Sequence, residues 1–204
     1  MRLINEQTEV ALLLVAPLIL GLLALAPWII PLLYSAEFLP AVEVFRWHLI
    51  GDILKVLAWP LGFIMMAQGA GKTQLAAEAA PMAIYLLILS AILPSMGVEG
   101  AGVAFIALTA IYFATVFALA RWRIGFRYSR FNIIAALLLL LSAVAVVMVG
   151  RQHDGAGAAL GLFLSGAAGL YALLHLASRA GAGGLLGKVA QYGQHLRARL
   201  SRRR

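Results

Sequence analysis

A chain of 204 residues, 63% hydrophobic and only 12% charged, falls well short of the roughly one charged residue in four typical of soluble globular domains, and so is not one. Its formal charge of +8 comes from 16 Lys and Arg against 8 Asp and Glu. The absence of cysteine rules out a disulfide framework, a thiol nucleophile and a thiolate metal site.

A bilayer-spanning helix needs about 20 mostly apolar residues. Runs of that kind fall at 10–34, 45–68, 77–95, 99–121, 131–150 and 156–177. The expected fold is an all-α integral membrane protein, with a six-transmembrane helical bundle over 1–177 and a basic tail over 178–204. The leading MRLINEQTEV carries Glu6 and Glu9 and precedes an apolar run too long for a signal sequence, with no small-residue cleavage site, so no cleaved leader is expected.

Span one contains Pro17, Pro27 and Pro31. Each proline removes a backbone donor and disfavours helix in the residue before it, so a kinked and even broken helix is expected unless neighbouring helices rescue the freed carbonyls. Trp28, Tyr34 and Phe38 near its far end suit an interfacial aromatic belt, and SAEFLPA reads as a short turn.

Span two places Arg46, His48, Asp52 and Lys55 inside an apolar helix. At about 100° per residue, His48, Asp52, Lys55, Trp59, Gly62 and Met66 share one stripe, and Leu49, Ile53, Val56, Leu57 and Ile64 form the apolar side. Asp52 and Lys55 are three apart, a spacing at which helical side chains meet. A charge at mid-membrane costs about 2.5–3.5 kcal/mol on insertion scales, so these residues are expected to face a bundle interior or a wet cavity. Two readings stand side by side. In one, Asp52 and Lys55 lock the span against a neighbour while Arg46 and His48 sit at headgroup level. In the other, Arg46 and Lys55 attract an anionic group, Asp52 holds Lys55 or takes a coupling cation, and His48 exchanges a proton. Trp59 either stacks on a sugar face or fills space.

The string GAGKT at 69–73 ends like a phosphate-binding loop, but Met66 stands where that pattern needs glycine and a membrane span precedes it. A helix stop with a flanking lysine is the better reading. GVEGAG at 97–102 lacks the spacing of a dinucleotide fingerprint and reads as a turn into span four. Gln74 and Glu78 open span three, where a carboxylate at a helix start is ordinary. Spans five and six are plainer, with Gly157 and Gly161 spaced for close helix approach. From Arg179 to Arg204 there are seven basic and no acidic residues, with Leu185, Leu186, Val189, Tyr192 and Leu196 on a helical stripe suited to an anionic membrane surface. With one aromatic and a membrane tether, nucleic acid is not the expected partner.

With the N-terminus inside, thirteen of the sixteen basic residues flank the spans on the cytoplasmic side; Arg151 lies outside, and Arg46 and Lys55 belong to span two. Six spans with both termini cytoplasmic follow from the positive-inside rule. No nucleophile sits beside a base and carboxylate, and the histidines at 48, 153, 175 and 195 are scattered. Neither an enzyme nor a cofactor or metal site is expected.

The most specific string is W-x-L-x-G-D-x-L-K, formed by Trp47, Leu49, Gly51, Asp52, Leu54 and Lys55, supported by the proline-rich span ending in LLYSAEF and the turn from Gly97 to Ala101. Over roughly residues 10 to 125 the chain resembles the C-terminal half of the O-antigen and enterobacterial-common-antigen flippases, the polysaccharide transport family of the multidrug/oligosaccharidyl-lipid/polysaccharide (MOP) superfamily. The resemblance implies a transporter in the bacterial inner membrane that moves an undecaprenyl-pyrophosphate-linked oligosaccharide by alternating access around a cationic cavity. Arg46 and Lys55 would then meet the pyrophosphate or acidic sugars, with Trp59 beside them, and Asp52 and His48 would serve ion coupling. Such flippases have two lobes, and this chain resembles one. A separately encoded first half, a truncated gene product and a homodimer are the three explanations, and the expected partner covering span two is the missing N-terminal lobe or a second copy. A multidrug-type exporter and a non-transporting scaffold for glycan assembly are the alternatives.

Overall fold

The structure, a computed structural model, describes residues 1–180; the tail beyond, with its expected amphipathic stripe, lies outside the described residues. Six helices alternate in direction: α1 (Arg2–Leu33), α2 (Ala41–Ala67), α3 (Gly71–Met96), α4 (Glu99–Ile124), α5 (Arg130–Gln152) and α6 (Asp154–Ala180). A single 3-10 turn, Ala36–Phe38, follows α1. All six are long and apolar enough to cross a bilayer. The described residues form a six-helix membrane bundle, and the chain is a multi-pass membrane protein.

The helices overrun the apolar stretches that announce them. α1 begins at Arg2 because its polar first turns are satisfied within the bundle. Asn5 accepts from the Ser129 amide at 2.7 Å and from the Asn132 side chain at 3.1 Å, and Thr8 donates to the Ile4 carbonyl at 2.8 Å. Of the two expectations for the prolines, a broken span and an accommodated one, the helix shows the second: α1 runs through Pro17, Pro27 and Pro31 without interruption. Ser165 of α6 donates to the Pro17 carbonyl at 2.7 Å, tying the two helices together at that turn. In α2 the helix likewise continues through Pro60. That residue leaves the Val56 carbonyl without its helical donor, and the next carbonyl, Leu57, receives the Tyr128 hydroxyl at 2.7 Å. The GAGKT string is the stop between α2 and α3, with Gly69 at φ 72°. Gly97, at φ 60° and ψ −148°, ends α3 in a region of backbone space open essentially to glycine alone.

α2 is central. Its Leu49, Ile50, Ile53, Val56 and Leu57 pack with Leu12, Ile19, Leu20 and Leu23 of α1 and with Leu139, Ala143, Val146 and Val147 of α5. The apolar side expected for span two is therefore the side buried in the lobe. A second cluster at the Arg2 end joins Ile4, Ala58, Leu61, Met65, Val116, Ala120 and Phe126. α6 lies against α1 and α5, and α3 packs chiefly on α4.

Candidate functional site

The charges of α2 separate into two environments. At the Arg151 end of the bundle, Arg46 is 6% exposed in its side chain and is held by Glu43 at 2.6 Å and Asp154 at 3.5 Å. Arg151 binds the other oxygen of Glu43 at 2.6 and 2.9 Å and reaches Glu99 at 2.7 Å. The Trp47 indole donates to Glu99 at 3.1 Å, and the Arg151 guanidinium lies 5.3 Å from the Trp47 ring centroid. These contacts tie the starts of α2, α4 and α6 to the end of α5. They need close backbones: a Cβ on Gly157 would stand 2.4 Å from the Gly150 Cα, and one on Gly150 would stand 3.0 Å from Arg46 Nη2. Arg46, one of the expected cavity residues, thus makes its ionic contacts within this network, one short charge-assisted bond to Glu43 and a longer contact to Asp154.

Asp52 and Lys55 are placed differently. With a rise of 1.5 Å per residue, Lys55 lies about 21 Å from the start of α2 and about 18 Å from its end, near the membrane midplane. The nearest approach of its ammonium to Asp52 is 4.0 Å, beyond hydrogen-bond length, and both side chains are about 40% exposed. Neither makes a hydrogen bond to a described residue. Their donors and lone pairs are unspent, on a face that the lobe itself does not cover.

One aromatic, which neither hydropathy nor spacing singles out, organises that face. Phe105 of α4 stacks on His48 with ring centroids 4.2 Å apart and lies 5.5 Å from the Lys55 ammonium, which is also 6.0 Å from the Trp59 ring. Gly51 makes this possible, since a Cβ there would meet the Phe105 ring at 2.8 Å. Glycine in the W-x-L-x-G-D-x-L-K string lets α4 bring an aromatic platform against the charged stripe. His48 also contacts the Val44 carbonyl through Nδ1 at 2.8 Å.

The stripe runs a little differently from its helical-wheel reading. Gly62 turns inward, where a Cβ would meet the Gln74 side chain at 2.8 Å and the Tyr112 hydroxyl at 3.3 Å. Phe63, 65% exposed, takes its place beside Trp59 and Met66. The open face is therefore His48, Asp52, Lys55, Trp59, Phe63 and Met66. Gln74 is buried, donating to Glu78 at 2.8 Å and to Tyr112 at 3.2 Å, and serves packing at the Arg2 end.

No protein-family model and no solved structure matches the chain. Similarity is found to the lipid III flippases of Escherichia coli (strain K12) and Shigella flexneri, each 30% identical over 83 residues, which is 41% of this chain and 20% of the relative. The match thus spans a fifth of those relatives' length. Over that stretch the chain is similar to flippases of a lipid-linked precursor, without distinguishing the O-antigen type.

Proposed function

We propose that this chain is one lobe of a flippase that carries an undecaprenyl-pyrophosphate-linked oligosaccharide, of O-antigen or a related surface polysaccharide, across the bacterial inner membrane. The observation that carries the proposal is the half-exposed, unbonded Asp52–Lys55 pair at mid-membrane. An ionised pair facing hydrocarbon is costly, whereas one lining a wet chamber is not. The chamber is completed by a second lobe, from another chain or another copy. Lys55 supplies the positive potential for the pyrophosphate, Trp59 and Phe63 offer flat apolar surface to sugar or prenyl groups, and Asp52 and His48 are placed for ion coupling. Arg46, whose charge is met by Glu43 and Asp154, holds the helices that shape the site. The protein moves its substrate without changing it and needs no catalytic group. The concentration of basic residues on the Arg2 side of the spans supports a cytoplasmic location for that end and for both termini.

The test is complementation of a flippase-deficient strain, with and without a co-expressed first lobe. Wild type is expected to restore surface glycan only when the second lobe is present. Lys55→Glu is expected to abolish display at unchanged membrane abundance. Normal display by Lys55→Glu would remove the anionic-cargo mechanism and favour a docking role for the stripe in a glycan-assembly scaffold.

A further inference from the structure

A second feature lies away from the charged stripe, between α5 and α6. These helices are separated by one residue, His153, and touch where Gly157 meets Gly150. At the Arg2 end they touch again, where the Phe131 ring stacks on His175 at 5.2 Å between centroids. Between the two contacts their walls part and leave a window of about 470 Å³. Its floor is α1, through Leu12, Leu13, Ala16 and Leu20, and Ser142 is its only polar lining side chain apart from the Tyr171 rim. Ile134, Leu138 and Tyr171 at its mouth are each more than half exposed, so it opens sideways, toward the hydrocarbon around the bundle.

The end of the window at Phe131 is basic. Arg130 adjoins Phe131, and Arg179 lies one helical turn beyond His175; both are exposed. Glu9 of α1, only 8% exposed in its side chain, binds His175 at 2.7 Å and Arg179 at 2.9 Å from beneath. It fixes Arg179 at the rim while that side chain stays 53% exposed. An apolar slot ending in cations is complementary to an amphiphile with an anionic head. A protein helix, about 10–12 Å across with its side chains, is too thick for a slot whose walls meet at both ends.

We propose that this window binds one acyl chain of an anionic phospholipid from the leaflet at the Arg2 end, with the phosphate drawn to Arg130 and Arg179. The lipid fills the space that α1, α5 and α6 leave open and joins the two helices where, among the described residues, no other element bridges them on that side. The site is distinct from the charged stripe of α2 and does not depend on the transport reading.

The experiment uses the full chain in phosphatidylcholine vesicles carrying traces of phosphatidylglycerol or phosphatidylcholine with a photoactivatable diazirine in the acyl chain, followed by peptide mapping. The phosphatidylglycerol probe is expected to label 131–142 and 164–171 several-fold more than the exposed Leu86–Leu87 face of α3, and the phosphatidylcholine probe is not. Arg130→Gln is expected to lower that preference about fivefold. Ala167→Trp, which fills the mouth, is expected to remove window labelling while α3 labelling persists, which also reports that the variant is folded. Even labelling of window and α3, equal labelling by the two probes, or window labelling unchanged by Ala167→Trp would each overturn the assignment.

Discussion

Replacing Arg46 and Lys55 one at a time separates a structural charge from a functional one. The Arg46 side chain is 6% exposed and bonds Glu43 at 2.6 Å. Breaking a buried pair from one side costs about 3–5 kcal/mol, because the remaining charge is left stranded. Here Glu43 keeps its two bonds from Arg151, at 2.6 and 2.9 Å, so Arg46→Gln should cost less, about 2–3 kcal/mol. For a chain of this size that corresponds to a fall in Tm of roughly 4–12 °C. Lys55→Met removes a contact of 4.0 Å that is about 40% exposed on each side, a loss of under about 1 kcal/mol. It also removes an ammonium whose insertion costs about 2.5–3.5 kcal/mol. Lys55→Met should therefore hold or raise Tm and membrane abundance while abolishing glycan display. Thermal unfolding in detergent, followed by size-exclusion fluorescence, and quantitative membrane blots measure both arms. If Lys55→Met lowers Tm as far as Arg46→Gln does, the Asp52–Lys55 pair is a structural clamp and the separation of the two charges is wrong.

At the α5–α6 crossing, Gly157→Ala would press a methyl to 2.4 Å from the Gly150 Cα and should cost at least about 1–3 kcal/mol, whereas Gly166→Ala, with nothing within 4 Å, should be neutral or gain up to about 1 kcal/mol; thermal unfolding of the two variants in parallel checks the contrast. Gly51→Ala should push the Phe105 ring off the stripe and impair glycan display more than Lys55→Arg does, since a Cβ there would stand 2.8 Å from that ring; complementation compares them. In the α4–α5 link, burial pushes the Tyr128 hydroxyl well above the ordinary tyrosine range. The unfolded chain then ionises first, so stability should fall as pH rises above about 10. Tyr128→Phe should lose about 0.5–1.5 kcal/mol at neutral pH with the Leu57 bond, and should flatten that alkaline slope; unfolding midpoints at pH 8 to 11 measure both effects.

Hydropathy made the six helices legible because a bilayer demands a long apolar run from each, and the period of 3.6 residues made the stripe legible because Asp52, Lys55 and Trp59 stand out against leucine. Helix ends were less so. Polar first turns such as Asn5–Glu9 look like solvent until Ser129, Asn132 and His175 are brought to them from more than 120 residues away. Distance also hid part of the fate of Arg46, whose nearer partner, Glu43, stands only three residues before it. On the helix it is simply another charge near His48, and its partner Asp154 arrives only when Gly150 and Gly157 let α5 and α6 cross. A trace was present in the sequence: Arg151, the lone basic residue in the loops at its end of the spans, shares that end with Glu43, Glu99 and Asp154. Gly62 and Phe63 show the limit of wheel geometry, since which of two adjacent positions faces outward was decided by Gln74 and Tyr112 on other helices.

The length of the Asp52–Lys55 contact says what kind of surface completes the site. In a dry interface the two groups have only each other to offset their desolvation, and the contact should tighten to the 2.7–2.9 Å of charge-assisted pairs. The Glu43–Arg46 and Glu43–Arg151 contacts, at 2.6 to 2.9 Å, are of this short kind, where protein closes around the charges. In a water-filled chamber each ion is solvated separately, and the present 4.0 Å carries no penalty. On the proposed function, a structure of the cargo-free assembly with its second lobe should therefore keep Asp52 and Lys55 apart, with water between the lobes. Contraction of the pair against a tightly packed partner helix would make the stripe a docking seam and end its role as a binding surface.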